Sequence, residues 1–183
     1  MTGIDPAIGG FCAFALALIF GASGVMKLRD LEMFEGSLAN YRLAPIWMEK
    51  PLAYLIPVLE CASAVGLAFG STRDEAGAVL LALLAIFTAA IAINLARGRT
   101  NIDCGCFGPA LRQELSGWLL ARNFVLMCVA ALLIYPGKNR RLVALDDVTI
   151  VLGALTLVIL YASANFAIAN APKTRSLETM WNE

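Results

Sequence analysis

Five runs of about twenty apolar residues dominate the chain, each bounded by charged or turn-forming segments. They cover about 8–28, 51–70, 76–96, 117–135 and 148–169. A helix crossing the hydrocarbon core of a bilayer needs roughly 20 mostly apolar residues. Backbone groups in lipid must be satisfied within the spanning segment. Each run is therefore predicted to be a transmembrane helix. The segment between the first two runs has a different pattern. Leu31, Phe34, Leu38 and Tyr41 recur at helical spacing, with Asp30, Glu32, Glu35 and Asn40 between them, and Pro45 follows. This predicts an amphipathic helix lying on the membrane surface or over the mouth of the bundle. Residues 71–75 form a tight turn, and residues 97–116 a longer loop with glycine and proline turn signals. The loop at 136–147 is short and charged, and the tail after Pro172 is polar and expected to fray. By loop parity, the amphipathic helix and the 97–116 loop share one membrane face. Gly66 and Gly70 form a small-xxx-small pair suited to close helix packing.

Composition fixes the class. Of 183 residues, 60% are hydrophobic and only 15% charged, against roughly 25% charged in a soluble domain. The mean hydropathy is +0.75. One soluble core cannot hide that apolar excess, so the class is an all-α polytopic membrane protein, a single membrane domain over 1–183. The first run lacks a basic leader and a cleavage site before a soluble domain, so a retained span is expected. Zero net charge, with no basic run interleaved with aromatics, points away from nucleic acid. Histidine is absent, which removes imidazole from every catalytic or metal-site scheme. Lys27, Arg29, Arg42, Lys50, Arg97, Arg99, Arg112, Lys173 and Arg175 fall on the face of the 97–116 loop. Arg73, Lys138, Arg140 and Arg141 fall on the other. By the positive-inside rule that loop faces the cytoplasm.

The chemistry centres on Asp103-Cys104-Gly105-Cys106-Phe107-Gly108. Two cysteines one residue apart can close a small, constrained disulfide ring, and such rings exchange readily. Gly105 allows the backbone angles that closure requires. Three readings stand: a redox pair, two soft ligands for copper with no histidine to complete the site, or inert loop cysteines. Cys12, Cys61 and Cys128 lie inside apolar runs and read as packing, with Cys61 set apart by its neighbour Glu60. Beneath the loop, Lys27, Arg97 and Arg122 belong to the same membrane half, and Asn94 and Asn123 lie at similar depth. Glu60 sits deeper, roughly 14 Å into its span at 1.5 Å per residue. Intramembrane ionisable groups face a bundle interior or a cavity. Lys27 and Arg97 can instead snorkel to the interface, and Glu60 can pair with Arg122 as a structural bridge. In the functional alternative, Arg97 and Arg122 favour the thiolate of one cysteine while Glu60 handles a proton. Trp118 and Tyr135 fit interfacial anchors.

Several of these residues together resemble the MauE family of methylamine utilisation proteins, within the wider DoxX-like membrane family. The motifs are Gly21-Ala-Ser-Gly24 with Lys27-Leu28, Tyr41-Arg42-Leu43 with Pro45, Pro57 with Glu60, Asn94 with Arg97-Gly98, the Asp103–Gly108 core, and Arg122-Asn123. The resemblance covers about residues 21–123. It implies a four-helix transmembrane bundle with a fifth transmembrane helix, similar to the bundle of vitamin K epoxide reductases. It also implies a role in maturing the disulfide-rich small subunit of methylamine dehydrogenase, a periplasmic enzyme, alongside the thioredoxin-like, membrane-tethered protein MauD. Cys104 and Cys106 would exchange with that partner at the periplasmic face of the inner membrane, with electrons passing to or from a membrane quinone. The alternative is an assembly platform that holds partner and client without turnover. The chain departs from the epoxide-reductase pattern in having no separate shuttle pair, so the second disulfide belongs to a partner.

Overall fold

The computed structural model describes residues 4–105, 113–135 and 142–181, with side chains to residue 170. Cys106 therefore lies outside the described residues, as does Arg112. Six helices follow in order: α1 (Pro6–Arg29), α2 (Leu31–Tyr41), α3 (Ile46–Ala68), α4 (Arg73–Ala96), α5 (Gly117–Leu133) and α6 (Ala144–Trp181). By length and composition α1, α3, α4 and α6 (over Ala144–Asn170) can each cross a membrane. The 17 residues of α5 are apolar but shorter, about 25 Å at 1.5 Å per residue, at the low end for a span.

Local chemistry sets the ends. Asp5 caps α1 by accepting from the Ala7 amide, and Pro6 follows at a first-turn position where its missing N–H costs nothing. Asp30 closes α1 and caps α2, accepting from the Met33 amide at 3.1 Å, so the two helices meet at a one-residue corner. Arg42, at φ 50°, ends α2 in the left-handed region. Two expected boundaries move. Pro45 is the residue before α3, so the helix starts at Ile46 and Pro51 lies inside it. The α6 helix continues through Pro172 to Trp181; the φ of proline is itself helical, and only one donor is lost there.

The four helices α1, α3, α4 and α5 close a ring of neighbours, α1 on α3, α3 on α4, α4 on α5 and α5 on α1, while α6 packs on α1. This is the four-helix bundle with a fifth helix beside it. Its core includes Leu16, Leu67, Leu80, Leu84, Leu126 and Ala130. Two glycines bring helices unusually close. A Cβ on Gly66 would lie 3.0 Å from Ala76 Cβ, whereas Gly70 has open space around it. A Cβ on Gly24 would lie 2.6 Å from Cys61 Sγ and 3.0 Å from the Pro57 carbonyl oxygen. The thiol can turn away but the carbonyl cannot, so Gly24→Ala forces α1 from α3. The expected loss is about 1–3 kcal/mol, read as a lower thermal midpoint of the detergent-purified protein, and Cys61→Ala should restore only part of it.

Candidate functional site

The α1–α3 seam that Gly24 tightens also brings Lys27, one turn further along, against Glu60. Their Nζ and Oε1 atoms are 2.6 Å apart, with side chains only 3% and 2% exposed. Ser23 donates to the other carboxylate oxygen at 3.3 Å, and the ammonium stands 5.0 Å from the ring centres of both Phe34 and Phe87. Two expectations change here. Lys27 does not snorkel: its head turns inward to the carboxylate. The described ion pair of Glu60 is with Lys27 and not with Arg122, because Arg122 rises from α5 on another wall of the bundle.

That wall borders a cavity of about 40 Å³, whose polar lining is Ser23, Lys27, Glu60, Arg122, Asn123 and Tyr161. It has room for two or three waters. Sites for small organic molecules are roughly 300–1,000 Å³, so a quinone ring does not fit this cavity.

Arg122 links the cavity to the cysteine loop. It donates through Nη1 to Gln113 Oε1 at 3.3 Å and to Asn165 Oδ1 of α6 at 3.2 Å, and through Nη2 to Asn123 Oδ1 at 3.2 Å. Gln113 belongs to a short hairpin. Asp103 and Glu114 form an antiparallel bridge, Cys104 N donates to Gln113 O at 2.9 Å, and Leu115 N donates to Thr100 O and Ile102 O at 3.1 Å each. The Asp103 carboxylate holds the turn from within, accepting from the amides of Gly105 and Gln113 at 3.2 Å each.

The hairpin is covered. Cys104 is 3% exposed and packs in a cluster with Tyr41, Ile91, Ile102, Leu115 and Leu119. Gly105 has φ +69°, and a Cβ there would lie 3.0 Å from Ser37 Cβ and 3.3 Å from Phe34 Cδ2. The α2 helix thus lies over the bundle mouth, on the cysteine loop, as the shared-face argument requires. Burial and the nearby Asp103 carboxylate push the Tyr41 phenol above its ordinary range, against the opposing pull of Arg122, so it remains a protonated donor.

The remaining expected site residues separate. Arg97 is exposed at the end of α4. Two residues on, past Gly98 at φ +70°, Arg99 turns inward. It donates to Asn94 Oδ1 at 3.1 Å, Tyr41 O at 3.4 Å and Asn40 O at 3.0 Å, tying the loop to the carbonyl end of α2. Asn94 is fully buried, and its amide also donates to Ala90 O, a structural use. Cys12, Cys61 and Cys128 are free thiols, with Cys128 exposed on its helix. Sequence reasoning passed over Ser23, Arg99, Gln113, Tyr161 and Asn165. Only Asn165, an amide deep in the last apolar run, carried a readable signal.

Comparison with known proteins gives a consistent result. The family model for methylamine utilisation protein MauE matches residues 5–136. The chain is similar to methylamine utilization protein MauE of Paracoccus denitrificans, 39% identical over 164 residues, or 88% of each chain. The protein of that name from Paracoccus versutus is 37% identical over 179 residues, 95% of this chain and 96% of the relative. That of Methylorubrum extorquens is 41% identical over 119 residues, 65% and 64% of the two chains. No solved structure matches.

Proposed function

Because the chain belongs to the methylamine utilisation protein MauE family, we propose that it is a membrane thiol–disulfide exchange protein serving maturation of the methylamine dehydrogenase small subunit. Cys104 and Cys106 are the exchanging pair, and a thioredoxin-like, membrane-tethered protein of the MauD kind is the partner. One observation carries this reading above that of a passive platform. Cys104 is held in a disulfide while the other described cysteines are free; it is buried under α2, and its backbone amide donates to Gln113, whose side chain accepts from the buried Arg122. An inert loop thiol needs neither the cover nor the charge.

In this reading the cysteine face is periplasmic, the compartment of the client, with the protein in the inner membrane. Nine Lys and Arg residues on the cysteine face argue for the cytoplasm. However, Lys27 is ion-paired with the buried Glu60 and so is not a free charge at the membrane surface. No step is routed through a quinone, whose ring is too large for the cavity beside Lys27 and Glu60.

Single-cysteine variants test the proposal. Expressed with the partner, at least one of the single variants Cys104→Ser and Cys106→Ser should accumulate a mixed disulfide that runs as a larger, reductant-sensitive band. The double variant should give none. Absence of an adduct from both single variants would overturn the exchange reading in favour of the platform. A membrane-impermeant thiol reagent applied to intact cells after reduction reads the orientation at the same time.

A further inference from the structure

Two residues that pack on or pair with Cys104 each carry a buried polar side-chain atom with no hydrogen-bond partner: the Tyr41 hydroxyl and the Gln113 Nε2 amide. Tyr41 is 6% exposed and Gln113 4%. Folded proteins seldom tolerate such atoms, and each one needs a reason. Both belong to the pocket that holds Cys104. Tyr41 packs in its cluster, and the Gln113 backbone carbonyl accepts from the Cys104 amide. Both are also fixed in place. Arg99 grips the Tyr41 carbonyl, and Arg122 grips Gln113 Oε1, which turns the amide nitrogen of Gln113 into the free end. Charged groups at this corner are Asp103 from the hairpin and Arg122 from α5.

We propose that Tyr41 and Gln113 are donors waiting for a thiolate on Cys104, so that the pocket is built for the opened disulfide and makes the pair easier to reduce. This rests on the exchange reading above. Cys104, a residue only 3% exposed beneath α2, is poorly placed for attack from outside, so in this proposal the other cysteine of the pair, Cys106, is the sulfur that meets the partner. A partner thiolate attacks Cys106 Sγ. The partner–Cys106 bond forms as the Cys104–Cys106 bond breaks, and its electron pair leaves on Cys104 Sγ. The second partner thiolate then attacks the partner sulfur of the mixed disulfide, and that electron pair leaves on Cys106. One partner proton ends on Cys106 and the other is released to solvent, so Cys104 stays a thiolate; the partner is oxidised, and two electrons have entered the pair. Run backwards, the steps reduce a partner disulfide, with Cys104 as the resolving thiolate. In either direction Cys104 carries negative charge at a buried position, and a thiolate there is stabilised by hydrogen-bond donors. The Tyr41 hydroxyl and the Gln113 amide are left unmatched while the disulfide is closed and are matched when it opens.

The test is a glutathione redox titration of the full-length protein in lipid nanodiscs, read by alkylation shift. Tyr41→Phe and Gln113→Leu should each move the equilibrium at least tenfold toward the disulfide, about 30 mV more negative for a two-electron couple. Tyr41→Phe should do so without lowering the thermal midpoint of the oxidised protein, since it removes an unpartnered group there. A purely structural role predicts the reverse: a lower midpoint with an unchanged equilibrium. That result, or an unchanged equilibrium in both variants, overturns the inference. Trapping adds a second arm: Cys104→Ser should hold the partner adduct and Cys106→Ser should not, and the opposite pattern also overturns it. If the wild-type pair does not exchange with any thiol, the proposed function falls instead.

Discussion

Lys27→Met or Glu60→Leu alone should strip most of the folded protein from the membrane, while the two together should restore it. The pair is closed at 2.6 Å with both side chains almost fully excluded from solvent. In such a place neither charge is stable by itself. Removing one partner of a buried ion pair costs about 3–5 kcal/mol, because the survivor stays buried and uncompensated, whereas replacing both with apolar groups is often neutral. For a chain of this size 1 kcal/mol shifts the thermal midpoint by roughly 2–4 °C, so each single variant should melt about 6–20 °C lower. The surroundings sharpen the asymmetry. Ser23 can still donate to a lone Glu60, and Phe34 and Phe87 can still face a lone Lys27, but neither supplies a counter-charge. Thermal unfolding of the purified variants and their abundance in membranes measure the effect. A double variant no more stable than the singles would sink the account. A double variant that folds but fails to support maturation would show that the pair also serves the site, beyond holding α1 to α3.

The sequence shows depth and hides direction. Apolar run lengths placed Lys27, Glu60 and Arg122 at roughly the right level, because rise per residue is fixed. Which wall each one faces was not legible, since helices apolar on all sides have no face to read. The glycine that decides it, Gly24, was visible as part of a motif, but its consequence depends on a contact with Pro57 and Cys61. The α2 helix was legible because its polar and apolar positions do alternate, and loop parity then placed it over the cysteines. Arg97 and Arg99 are indistinguishable by type, and only the left-handed turn at Gly98 sends the second inward. Gln113 looked like an ordinary loop residue. Its burial comes from the antiparallel pairing of Asp103 with Glu114, a non-local contact with no local signature. The second apolar run begins at Pro51, but the helix starts five residues earlier, after Pro45, because the polar Glu49–Lys50 turn is still helical.

Arg122→Leu is expected to free the hairpin from the bundle. The guanidinium ties three parts of the chain together: Gln113 in the hairpin, Asn165 on α6 and α5 itself. Hydrogen bonds to charged groups contribute about 1.5–3 kcal/mol each, and two of these bridge separate elements. Leucine leaves both amide oxygens buried without that donor. Opening of the hairpin should become easier by about 3 kcal/mol, or roughly 100-fold at 1.4 kcal/mol per factor of ten. The alkylation rate of Cys104 in the reduced protein measures this, because the thiol is shielded unless the hairpin lifts from α2. Arg122→Lys should recover little, staying within about tenfold of leucine, since the Nη1 that serves Gln113 and Asn165 is positioned by a planar guanidinium whose Nε and Nη2 are held by Asn123, and a flexible ammonium loses that anchoring. The backbone around Cys104 should respond in step: amide exchange at Cys104 and Leu115, whose N–H groups close the hairpin, should accelerate by a similar factor while the α4 core does not change. Equal acceleration everywhere would mean that Arg122 supports the whole bundle. An unchanged Cys104 alkylation rate would mean that α2 alone holds the hairpin shut, and the charge beneath it would then have no part in guarding the sulfur.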